Sequence, residues 1–162
     1  MVVVGMCVPH MDKLVYHYYD VDTEFCTVDV MWFAAVKTVI LRRVDRRPVL
    51  QLCCSYDTGD DGRGGVLRCI RDMETGEVVA TISRSDAGGT VYNDRYLVRE
   101  DGNTARIWDL EHRDEPVAVF NLSLLKGRSF AGGVDRSSFM CDNEIEQRMQ
   151  LAFLLYPHVR FV

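Results

Sequence analysis

The chain has 162 residues, of which 48% are hydrophobic and 27% charged, and its net charge is −5. This length suffices for one domain with a core, and the composition is that of an ordinary soluble globular protein. The acidic balance argues against general binding to nucleic acid or anionic membranes, which requires a net positive face. We therefore predict a single domain over residues 1–162 that binds neither nucleic acid nor a membrane.

The first five residues are apolar but far too short to span a membrane, and no secretory signal is recognisable. A cytoplasmic or nuclear location is expected, in which the six cysteines stay reduced. Most of them lie in apolar, strand-like runs, where a free cysteine acts as a small hydrophobic residue.

Along the chain, short segments rich in β-branched and aromatic residues alternate with turns rich in Gly, Asp and Asn. The predicted strands are 2–8, 13–19, 24–30, 33–44, 49–56, 66–71, 78–83, 96–99, 104–110, 117–122, 137–142, 147–155 and 158–162. Residues 144–151 could instead form a helical turn. Many short strands with little helix predict an all-β sandwich, barrel or propeller.

Three segments of the chain resemble one another: residues 18–28, 70–81 and 107–119. Each has a strand that ends in Asp, then an apolar residue, an acidic residue, a turn and a second strand. The strand-ending residues are Asp20, Asp72 and Asp109. Such an Asp can accept backbone N–H groups of the following turn, and a preceding aromatic residue such as Trp108 can pack against neighbouring strands.

This pattern, with Ile107-Trp108-Asp109 as its strongest copy, resembles the end of a repeat of the WD40 β-propeller family. The resemblance implies an all-β fold, a small or incomplete WD40-like propeller of antiparallel blades. The blades would cover residues 33–81, 90–122 and 130–162, with 2–30 supplying most of a fourth. Asp20, Asp72, Trp108 and Asp109 would then be structural, with Trp108 packed between neighbouring blades. The chain departs from the family in having one Trp-Asp pair and no Gly-His pair.

Because WD40 proteins often act as adaptors, the resemblance implies a non-enzymatic protein–protein interaction module or scaffold. Its partner would be a protein, and a homo-oligomer or another chain could complete an open edge of the propeller. Loops on a rigid scaffold carry recognition, so we expect the contacts in residues 57–63 and 84–93. The predicted protein-binding residues are Asp57, Asp60, Asp61, Arg63, Arg84, Asp86 and Asn93.

An alternative function rests on Asp57-Thr58-Gly59, which matches the signature of aspartic proteases. One copy per chain requires a homodimer, in which two carboxylates share a proton. Asp60 and Asp61 follow where that family normally has a small residue, so a solvated acidic turn is the favoured interpretation.

No metal or cofactor is predicted from the sequence. The carboxylates of the same loop lack the spacing of an EF-hand calcium site, and Cys7 and His10 lack a second pair of zinc ligands.

Overall fold

A computed structural model describes residues 1–33, 36–57, 65–122 and 135–159. Twelve strands are followed by two helices, α1 (Gln147–Leu154) and α2 (Tyr156–Val159). The strands are β1 (Val2–Pro9), β2 (Lys13–Asp20), β3 (Thr23–Phe33), β4 (Val36–Arg43), β5 (Pro48–Asp57), β6 (Gly65–Asp72), β7 (Val78–Arg84), β8 (Thr90–Tyr92), β9 (Tyr96–Asp101), β10 (Thr104–Asp109), β11 (His112–Asn121) and β12 (Asp135–Cys141). The prediction of an all-β fold is confirmed.

The twelve strands form one closed antiparallel barrel, in which each strand pairs with the strands before and after it in the chain. The ring closes between β1 and β12, where Val2 lies opposite Met140 and Cys7 opposite Asp135. The expected propeller is therefore corrected to a barrel, because the described strands share one continuous sheet and are not divided into blades. Among the strands that the structure describes, none lies at an edge of the sheet.

Alternation along the strands gives the barrel an inner and an outer face. In β10, for example, Ala105 and Ile107 are fully buried and point inward, whereas Arg106 between them is exposed. Barrels of eight strands are filled by side chains alone, but larger barrels leave an interior that needs other contents.

The segment that fills this interior is α1. Every residue from Met149 to Tyr156 is buried. The ring of Phe153 packs edge-on against Tyr92 of β8 and Tyr96 of β9, at centroid distances of 5.4 and 5.1 Å. The ring of Tyr156 lies 6.2 Å from that of Phe120 on β11. The second half of α1, residues 151–154, is apolar and buried on all sides, and the barrel wall surrounds it.

Basic side chains of the wall hold the end of the helical segment. Lys37 Nζ on β4 donates to the carbonyl of His158 at 3.1 Å, and Arg68 Nη1 on β6 donates to the carbonyl of Val159 at 2.8 Å. Carbonyl groups at the end of a helix lack partners within it, so cations there satisfy them and complement the helix dipole. We call the end of the barrel where α1 begins the lower end, and the opposite end the upper end.

The predicted strands at 147–155 and 158–162 are wrong as far as the structure describes them. Residues 147–159 are almost entirely helical, and residues 160–162 lie outside the described residues. The apolar run at 151–156 has no helical periodicity because it has no solvent-facing side, and this made it look like a buried strand.

The three similar segments of the sequence are hairpins of the barrel. They are β2–β3, β6–β7 and β10–β11, which recur every fourth strand and all turn at the lower end. Each hairpin has an irregular register next to its strand-ending Asp. The three similar segments thus lie four strands apart in one continuous sheet, and not one to a blade.

No helix in the described part of the chain is long and apolar enough to cross a membrane.

Candidate functional site

The predicted loop residues that the structure describes do not all lie at the same end of the barrel. Arg84 and Asp86 are exposed and flank a turn at the upper end, whereas Asn93 lies in a turn at the lower end. Asp57 is the last residue of β5, opposite Gly65. Asp60, Asp61 and Arg63, with the Thr58 and Gly59 of the protease-like tripeptide, lie outside the described residues.

Asn93 has a structural role that the sequence analysis did not anticipate. Its Oδ1 accepts from the backbone N–H of Thr81 at 2.8 Å, and its Nδ2 donates to the carbonyl of Val79 at 3.1 Å. Asn93 and Asp94 have φ values of 53° and 54°, as the two central residues of a type I′ hairpin turn require. The amide therefore joins the turn to β7, and the assignment of Asn93 as a binding residue stays a prediction.

Two of the three strand-ending aspartates, Asp72 and Asp109, accept backbone N–H groups of the following turn as expected. The Asp72 carboxylate accepts from the backbone N–H groups of Glu74 and Thr75 at 2.8 and 3.1 Å. The Asp109 carboxylate accepts from the N–H of Glu111 at 3.0 Å and forms a two-bond pair with Arg95 at 3.2 and 2.9 Å. Asp20 is the last residue of β2 and directly precedes a turn that begins at Val21.

Asp72 also joins the central helix to the wall. Arg148, in the first turn of α1, contacts carboxylate oxygens of Asp72 at 3.3 Å, Glu77 at 3.0 Å and Glu146 at 3.2 Å. These residues lie beside a cavity of about 430 Å³ at the lower end, whose apolar part includes Phe25, Val49 and Leu151. The ion pairs of Arg148 therefore fix the start of α1 against the barrel wall.

The second concave surface lies on the outer wall, across β9, β10 and the start of β11. We call it the Trp108 groove. It has a volume of about 470 Å³ and is lined by Leu97, Arg99, Glu100, Asp101, Arg106, Trp108, Leu110 and Arg113. Its apolar side chains, Leu97, Trp108 and Leu110, are half-buried.

The geometry of this groove follows from two irregularities. Gly102 and Asn103 form a two-residue turn, which sets Leu97 opposite Trp108 and Arg99 opposite Arg106. On the other side of β10 the register shifts on both sides of Trp108, so that Pro116 lies opposite Trp108 and His112 opposite Asp109. Such bulges re-aim side chains and are frequent beside functional sites. Trp108 therefore lies on the wall, and not between blades as the sequence suggested.

Arg99 and Arg106 are the most informative pair in the groove. Both are exposed, they face each other across the sheet, and neither has a hydrogen bond or ion pair within the described residues. Like charges directly opposite each other destabilise a sheet. The donors of these two guanidinium groups match the geometry of an anionic group such as a carboxylate.

Sequence reasoning missed this pair because it considered residues in turns and not those on opposite strands. The signal was present in the short Gly102-Asn103 turn, since a two-residue hairpin fixes which residues face each other.

The described residues hold no group of three or more His, Cys, Asp or Glu side chains placed to bind a metal ion. All six cysteines are free thiols. Burial raises the pKa of Cys26 to about 12 and that of Cys141 to about 12, so both thiols stay protonated at neutral pH.

Comparison of the chain with protein-family models, with curated proteins and with solved structures found no match.

The contacts of Asp72 predict a pH-dependent contribution to stability. Hydrogen bonds from Thr75 and Glu74, and then from Arg148, hold the pKa of the Asp72 carboxyl below its usual value. The stabilisation by the ionised group is therefore complete above the unfolded-state pKa of about 4 and is lost as the pH falls through the folded-state value. Asp72→Asn should lower the free energy of unfolding at pH 7, and the difference from the wild type should shrink below about pH 4.

Urea titrations at several pH values measure this difference, with Asp94→Asn at an exposed position as the control. A deficit in the free energy of unfolding of Asp72→Asn that is unchanged at low pH would contradict the prediction.

The like-charge pair predicts that a charge reversal stabilises the barrel. Arg106→Glu removes the repulsion and places a carboxylate opposite Arg99, so the free energy of unfolding should rise by about 0.2–1 kcal/mol. Arg43→Glu is the matched control. It lies on β4, six strands away around the ring, beside Asp45 and Glu74, and should bring no gain. A lower midpoint of urea denaturation for Arg106→Glu than for the wild type would refute the interpretation of this pair.

Proposed function

We propose that this protein is a non-enzymatic interaction module that binds a protein partner in the Trp108 groove. The observation that carries the proposal is the exposed Arg99–Arg106 pair beside the half-buried Trp108. Tryptophan and arginine are the residue types most enriched among the contacts that dominate binding energy at protein interfaces.

The architecture supports a binding site on the wall. Described helices occupy the barrel interior, and the described strands form a closed ring in which no strand lies at an edge. This closure disfavours recognition by addition of a partner's strand. The surfaces left for a partner are the side chains of the outer wall and the turns at the two ends of the barrel. Of these, the Trp108 groove is concave and combines apolar side chains with the guanidinium donors of Arg99 and Arg106.

The same class of function is implied by the WD40 resemblance of Ile107-Trp108-Asp109, a binding surface on a rigid β scaffold. We locate the binding surface on the outer wall and not in the turns, because Trp108 lines the groove whereas Asp109 is paired with Arg95. We place the module in the cytoplasm or nucleus, where its six thiols remain reduced.

Site-specific photo-crosslinking tests this proposal. A photoreactive amino acid replaces Leu97, in the groove, or Met31, a half-buried apolar residue on β3 six strands away. Position 97 should crosslink to a defined protein in an extract of the native cells, and position 31 should not. Adding Trp108→Ala to the position-97 variant should reduce the crosslink at least tenfold, because it removes the largest apolar contact.

Binding of the captured protein is then measured with purified components and with unmodified wild type as the competitor. Equal capture at positions 97 and 31, or capture unaffected by Trp108→Ala, would refute the groove as the binding site.

A further inference from the structure

We propose that the partner presents an extended acidic segment with a large apolar side chain two residues away from a carboxylate. This inference rests on the proposed function and specifies the chemistry of the partner. The supporting observation is the order of the side chains in the groove, where a row of apolar residues lies next to a row of arginines.

The charge of the groove favours an anionic partner. Its lining contains three arginines, Arg99, Arg106 and Arg113, and two acidic residues, Glu100 and Asp101. Glu100 Oε1 accepts from the Tyr156 hydroxyl at 2.9 Å, so this carboxylate is engaged from the barrel interior. Arg113 uses its Nε for the carbonyl of Leu110 at 3.2 Å, whereas each guanidinium offers five N–H donors. Carboxylates match these forked donors better than any neutral group.

The spacing of the two rows defines the segment. Leu97 and Trp108 face each other in one row, and Arg99 and Arg106 face each other in the next. The rows are two residues apart along the strands, which corresponds to about 6.6 Å. In an extended peptide, residues i and i+2 lie on the same face at the same spacing. A peptide running parallel to β10 therefore places an apolar side chain on Trp108 and a carboxylate between the two arginines.

The experiment uses Trp108 as its own reporter. The chain has two tryptophans, so Trp32→Phe leaves Trp108 alone, and Trp32 is 53% exposed and outside the groove. The probe is a nine-residue peptide of serine and threonine that carries one leucine and one glutamate two residues apart. The matched probe has lysine in place of glutamate.

The glutamate peptide should shift the fluorescence of Trp108 saturably and bind at least tenfold more tightly than the lysine peptide. Arg106→Glu should weaken the glutamate peptide at least tenfold and strengthen the lysine peptide, and Arg43→Glu on the opposite side of the ring should change neither. Raising the salt concentration should weaken the glutamate peptide, as expected for exposed charges.

Three results would overturn the inference. They are a lysine peptide that binds as well as the glutamate peptide, a glutamate peptide that does not bind, and a response of Trp108 to phosphatidylserine vesicles or single-stranded DNA but not to the peptide. If position 97 still crosslinks to a protein partner in these cases, the interaction function stands and only its acidic specificity fails.

Discussion

The structure depends on how the interior of the twelve-stranded barrel is filled. A closed barrel of this size encloses more space than its own inward side chains can fill, and an empty interior would forfeit contacts on every side. The chain meets this constraint with α1 and α2, whose buried residues pack against the inner faces of strands around the ring. Each large apolar side chain buried in this way contributes about 1.5–3 kcal/mol.

Polar contacts at both ends fix where the helix lies. Arg148 and Asp72 hold its start at the lower end, and Lys37 and Arg68 hold the carbonyl groups that follow it. Apolar packing alone is compatible with several rotations of a helix, whereas directional hydrogen bonds select one. Because described helices occupy the interior, we propose that a partner binds on the outer surface, where Arg99 and Arg106 face each other.

Much of the local structure could be read from the sequence. Alternation in runs such as 104–109 predicts a strand with Ala105 and Ile107 inside, and the turn after Asp72 follows from the hydrogen-bonding habits of Asp. The closure of the barrel could not be predicted, because the pairing of β1 with β12 joins residues about 130 positions apart and leaves no local pattern in the sequence. The helix was misjudged since burial on all sides removes the periodicity by which helices are recognised. Of the candidate site, Trp108 was singled out from the sequence, but its arginine neighbours become visible only once the β9–β10 register is considered.

Hydrogen–deuterium exchange in α1 tests the central claim most directly. If α1 occupies the interior, the amides of residues 151–154 exchange only when the whole barrel unfolds, and therefore as slowly as the central residues of β10. Exchange of residues 151–154 at the rate of the exposed turn that contains Arg46 and Arg47 would show that the helix lies outside the barrel, and would contradict the account.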